Sequence, residues 1–136
     1  MLRTLLAFLA GVIAMMGTLI ALEAFGHFIW SPPPVDMDDP AQWEAFIAAM
    51  PMTAKVWILI SYATAVEVGT IIAVLIQRPR WRGLAMSLGL LMTVLIAVNF
   101  WMHSHPWWMV VIGLLLPLPV AMACGWWLRP KPGANA

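Results

Sequence analysis

Charge is scarce in this chain. Of its 136 residues, 10% are Asp, Glu, Lys or Arg and 63% are apolar, against roughly 25% and 45–50% in soluble domains. A water-facing surface cannot be clothed from so few charges. The few Lys and Arg, seven in all, lie mostly in short segments between or at the ends of apolar runs, so no basic stripe for nucleic acid forms. Cysteine is nearly absent too: Cys124 has no partner in the chain, which excludes an intrachain disulfide and any CxxC-type zinc motif. Its Ala and Gly neighbours provide an apolar setting that keeps a thiol inert. There is no glycine-rich phosphate loop and no HExxH, and Ser61 and Ser104 stand in no triad spacing. These absences argue against an enzyme.

What the chain has is long apolar runs. A bilayer core takes about 20 apolar residues in a helix, and four stretches qualify, at about 2–25, 54–77, 83–102 and 107–128. Hydrocarbon offers no partner to unpaired backbone groups, so each must be helical. The first run could pass for a signal peptide, with Arg3 ahead of it. However, its apolar part, residues 5–22, exceeds an h-region and no A-x-A site follows. It is expected to be a retained helix. The fold class is therefore all-α: an integral membrane four-helix bundle, one domain over 1–136, with a short amphipathic helix in the outer loop 26–53.

Orientation follows from the connections. Arg3, the Arg78, Arg80 and Arg82 cluster, Arg129 and Lys131 fall on one side, and Asp36, Asp38, Asp39 and Glu44 on the other. The positive-inside rule then places both termini in the cytoplasm, with the acidic loop facing outward from a bacterial inner membrane. Tryptophans mark both interfaces, Trp30, Trp43, Trp57, Trp101, Trp107 and Trp108 outside, Trp81, Trp126 and Trp127 inside. Within the outer loop, SPPPVDMDDP opens as a polyproline-like segment. Asp39 can then cap a helix with Pro40 at its first position and Gln42 at capping-box spacing. Trp43, Phe46, Ile47 and Met50 form one apolar face, and Pro51 stops the helix. Such a helix would lie on the membrane surface or roof the bundle.

Three features together resemble small uncharacterised bacterial four-span membrane proteins. These are a glycine-bearing first helix leading to PPPVD, a second helix with small residues in YATAVEVGT, and an outer turn reading HPWWM. The resemblance spans most of the chain. It implies the four-span topology and no particular activity.

Glu67 sits near the middle of the second span, where an acidic group costs very roughly 3 kcal/mol on insertion scales. Ser61, Thr64 and Thr70 share its helix. Pro117 lacks an N–H and frees the Gly113 carbonyl at about the same depth, as Pro119 frees Leu115. A neutral Glu67 donating a hydrogen bond to this kinked backbone is the expected arrangement. A contact with another protein and a proton-coupling role are the alternatives.

The second constellation lies at the outer level, around NFWMHSHPWWM. Glu23 and His27 are i, i+4 on one helix, Asn99 and His103 are i, i+4 on another, and His105 follows in the turn. Imidazole with nearby Met37, Met50, Met52, Met102 and Met109 suits copper, and imidazoles from facing helices suit haem. Glu23, His27, His103 and His105 are thus candidate metal ligands, with His27 and His103 as candidate haem ligands. Plain interfacial packing, with Pro106 opening the fourth helix, is the simpler reading.

Small residues at small-xxx-small spacing let helix backbones approach closely. They include Ala7, Gly11, Ala14, Gly17 and Ala21 on the first helix, Ala65, Gly69 and Ala73 on the second, and Ala121 and Gly125 on the fourth. Gly11, Gly69, Gly113 and Pro117 are the expected packing positions. Together these readings point to a non-enzymatic accessory, assembly or stabilising subunit. It would need no cofactor and would pack among lipids against another membrane protein or copies of itself. An outer-face copper- or haem-binding protein is the alternative, and a small oligomeric proton-coupled transporter using Glu67 the second.

Overall fold

The computed structural model describes residues 1–31 and 39–130. Among these every regular element is helical: α1 (Leu2–Trp30), α2 (Pro40–Ala49), α3 (Met52–Ile76), a 3₁₀ turn (Arg78–Arg80), α4 (Trp81–Met102), α5 (Trp107–Leu115) and α6 (Pro117–Trp127). Four helical stretches are long and apolar enough to cross a membrane, counting α5 and α6 as one. The expected polyproline-like segment, with Asp36, Met37 and Asp38, lies outside the described residues, as does Lys131.

α1 runs five residues past the expected end at 25. Nothing between Gly26 and Trp30 breaks a helix, so it continues until Ser31. That residue turns left-handed (φ 35°), and its N–H donates to the His27 carbonyl at 2.8 Å. A following proline disfavours the α conformation at Ser31, which helps to set the stop there. α2 begins as its sequence requires. The Asp39 carboxylate accepts from Ala41 N–H at 3.0 Å and from Gln42 Nε2 at 2.9 Å, with Pro40 in the first turn. Gln42 thus reaches the cap's carboxylate at the expected capping-box spacing. The last span is broken at Leu116, between α5 and α6, where Pro117 has no N–H to give Gly113.

α3 is the centre of the bundle. It packs along α1 and also meets α4, α5 and α6, while α4 packs along α6. One core cluster joins Met15, Leu59, Tyr62, Val66, Met92, Ile96 and Met109, and a second joins Ala7, Ala73, Val74, Leu84 and Leu88. Backbones come close where glycine allows it. A Cβ on Gly11 would sit 2.8 Å from the Gly69 carbonyl oxygen, and one on Gly69 would sit 2.7 Å from the Gly11 carbonyl oxygen. Gly113 is filled by the Phe100 ring and Pro117 is buried, so all four expected packing positions lie inside the bundle. Of the rest of the α1 small-residue run, Ala7 is buried and Ala14 half-buried, whereas Gly17 and Ala21 are exposed, and nothing comes within 4 Å of a Cβ built on Gly17.

Large apolar side chains also face outward, among them Ile13 (73% exposed) and Phe28 (82%). Arginines gather at one end. Arg3 Nε donates to the Ile76 carbonyl at 3.1 Å, occupying one of the acceptors left open where α3 ends. Arg82 lies over the Trp81 ring and Arg129 over the Trp126 ring. Glu23, His27, α2 and the 103–106 turn lie at the other end, which also holds Lys55, an exception to the separation of charge.

Candidate functional site: an aromatic cavity at the histidine end

The candidate residues of the outer constellation converge. Glu23 and His27 from α1, Asn99 from α4, and His103 and His105 from the following turn line one cavity of about 510 Å³. α2 brings Trp43, Phe46, Ile47 and Met50 to its wall, the four residues whose spacing defined an apolar face, and α3 supplies Trp57, Ile58 and Tyr62. Ile47 is buried, and Trp43 and Phe46 are half-buried.

Each histidine is held by its neighbours. His27 Nδ1 meets the Glu23 carbonyl at 2.8 Å, His103 Nδ1 the Asn99 carbonyl at 3.3 Å, and His105 Nδ1 the His103 carbonyl at 2.7 Å. A carbonyl can only accept, so Nδ1 carries the proton in each. In the neutral ring Nε2 is then left as an acceptor. The His103 ring packs on Trp43 at 4.6 Å between centroids and the His105 ring on Phe100 at 4.7 Å. Burial holds the His105 imidazole below the usual histidine pKa, with its hydrogen bond to His103 opposing the shift. It is therefore neutral at pH 7.

Among the described residues, no Lys, Arg, Ser, Thr or Cys lines the cavity and the Glu23 carboxyl makes no hydrogen bond; His27, which can carry a positive charge, lies one turn further on. Among the described residues, no three His, Cys, Asp or Glu side chains come together as a metal ion would require. The four candidate ligands share a cavity without forming a coordination sphere. The cavity offers acceptors and aromatic faces, together with donors in the Asn99 amide and the Tyr62 hydroxyl; its wall residue Trp43 has a buried indole N–H without a partner among the described residues.

Neither a family model, a curated protein nor a solved structure matches this chain.

The polar residues within the long apolar helices are arranged otherwise than expected. Glu67 is exposed on the outer surface of α3 and makes no hydrogen bond or ion pair among the described residues. The proposed bond to the Gly113 carbonyl is not formed, because the side chain leaves α3 on the side facing away from the core. Ser61 is buried and donates to the Trp57 carbonyl at 2.9 Å, Thr70 is buried with its hydroxyl unpartnered, and Thr64 is half-buried.

Two wall residues escaped the sequence reading. Trp57 was legible only as part of an aromatic belt, yet its indole N–H donates to the Leu22 carbonyl at 3.0 Å, and its ring lies beside Phe25 and Trp30. Tyr62 was not singled out. That it is the single tyrosine of the chain, one helical turn beyond Ile58, was the available signal.

Proposed function

We propose that this chain is a non-enzymatic accessory or assembly subunit of a bacterial inner membrane. In this reading its termini and arginine end are cytoplasmic and its histidine end faces outward. The exposure of Glu67 halfway along α3 is the observation that carries it. In hydrocarbon an unpaired carboxyl there costs roughly 3 kcal/mol, and no side chain among the described residues offsets it by pairing with it. A polar group of a neighbouring protein would, at about 0.6–2 kcal/mol per interhelical hydrogen bond. Ile60 and Ile71 share the face and are exposed or half-buried, so a partner helix would find apolar contacts on either side of the carboxyl. Gly17 and Ala21 provide a second close-approach position on α1, left uncovered by the bundle.

Native mass spectrometry of the protein, gently extracted from its own membrane, tests the reading. A defined heavier assembly that is lost with Glu67→Leu and kept in part with Glu67→Gln is expected. A bare monomer from the unaltered chain would refute it.

A further inference from the structure

The cavity at the histidine end combines three properties. Among the described residues, its one carboxyl group, that of Glu23, makes no hydrogen bond and shares the cavity wall with no Lys or Arg. Its histidines have their protons committed to backbone carbonyls and present Nε2 as acceptors. Its walls carry Trp30, Trp43, Phe46, Trp57 and Tyr62. An anion finds no positive side chain here apart from a protonated histidine, and His105 resists protonation. A metal ion finds no group of three donors. A cation with N–H donors and an apolar body finds a carboxylate, lone pairs and the negative faces of several rings, the arrangement by which aromatic sites hold ammonium groups. About 510 Å³ lies within the range of pockets for small organic ligands.

We propose that this cavity binds an organic ammonium group carried on an apolar body, with Glu23 as its counter-charge and Trp30 and Trp43 as its aromatic walls. The ammonium can come from a phospholipid headgroup or from a free organic amine. The shared chemistry is a protonated amine with an apolar tail. This binding does not depend on the subunit role, which rests on Glu67 at a different depth and on a different face.

The test uses the full chain in uncharged maltoside micelles, which bring no ammonium group of their own. Phenethylammonium is titrated at neutral pH against phenylethanol, its uncharged counterpart, with tryptophan fluorescence as the readout. The ammonium is expected to bind at least about tenfold more tightly than the alcohol, the ratio that one charge-assisted or cation–π contact supplies. Glu23→Gln should bring that ratio close to one, and it leaves no folding contact unmade because the carboxyl makes none. Trp43→Leu should weaken the ammonium more than the alcohol. Equal affinities in the unaltered chain, or a preference that survives Glu23→Gln, would overturn the proposal. Doping the micelles with phosphatidylethanolamine distinguishes the sources. Competition that phosphatidylglycerol does not reproduce supports a headgroup ligand, and no competition supports a free amine.

Discussion

Replacing Gly11 with alanine would place a methyl carbon 2.8 Å from the Gly69 carbonyl oxygen, 2.9 Å from the Ala73 Cβ and 3.0 Å from a Leu88 methyl. The first neighbour is backbone and the second is fixed to it, so neither can rotate away. The two helices must instead separate by ~0.5 Å to restore ordinary carbon–oxygen spacing. A gap of that size forfeits about a quarter to a half of each interhelical contact, and each contact is worth about 0.1–0.2 kcal/mol. Over on the order of 30 atom pairs at the crossing, the loss comes to about 1–2 kcal/mol. Alanine recovers roughly 0.5–1 kcal/mol through its better helix propensity, leaving a net destabilisation of about 1 kcal/mol.

Gly17→Ala is the control, because nothing lies within 4 Å of its Cβ position. It should be neutral or stabilising by up to about 1 kcal/mol, putting the two variants about 1–2 kcal/mol apart. Reversible unfolding by dodecyl sulfate titration in mild detergent measures both. Gly69→Ala should resemble Gly11→Ala, and the double variant should cost less than the sum, since one separation relieves both clashes. If Gly11→Ala and Gly17→Ala shift the midpoint equally, the α1–α3 contact is not as close as described.

The remaining expectations concern the histidine end. Hydrogen bonds from Gln42 and the Ala41 N–H hold the Asp39 carboxyl below the usual aspartate value of 3.8. The cap's contribution is therefore fully present above 3.8 and is lost as pH falls through the lower folded value; amide exchange in the first turn of α2 should quicken there, and Asp39→Ala should abolish the dependence. His105 has a folded pKa below 6.5, so its contribution is complete above 6.5 and is lost as pH falls from there through the folded value. A histidine NMR titration should show one ring resisting protonation, and His105→Asn should remove that signal. Trp57→Phe removes the hydrogen bond to Leu22 and should cost about 1 kcal/mol by the same unfolding assay; an unchanged midpoint would show that the bond contributes nothing.

The spans were legible because apolar runs of membrane length have few alternatives, and Asp39, Pro40, Pro51 and Pro117 mark boundaries through rules that need no tertiary contact. The Gly11–Gly69 approach was legible as spacing, but Gly17 and Ala21 have the same spacing and remain uncovered. Which side of a helix faces a neighbour depends on how several helices tilt together, and that is not written in any one of them. Glu67 failed for this reason: its depth was readable, its direction was not. The histidine constellation was readable as a level. Its convergence on one cavity required α2 to fold back over the bundle and α1 to continue as helix past residue 25, and both depend on contacts made by Trp43, Ile47 and Trp57.

The central position of α3 also constrains how the protein can be made. α1 leaves the ribosome first, yet its close-packing stripe is matched by Gly69 and Ala73, more than 55 residues later in the chain. If the chain inserts as proposed, α1 would wait in the lipid or against the insertion machinery, with Gly11 uncovered, until α3 has emerged. α3 in turn carries Glu67, so the helix that completes the first pair is also the one least at ease in hydrocarbon. In the proposed orientation, a pairing of α1 with α3 during insertion would bring both elements into the bilayer as a unit, with the arginine turn between α3 and α4 held back on the side of synthesis.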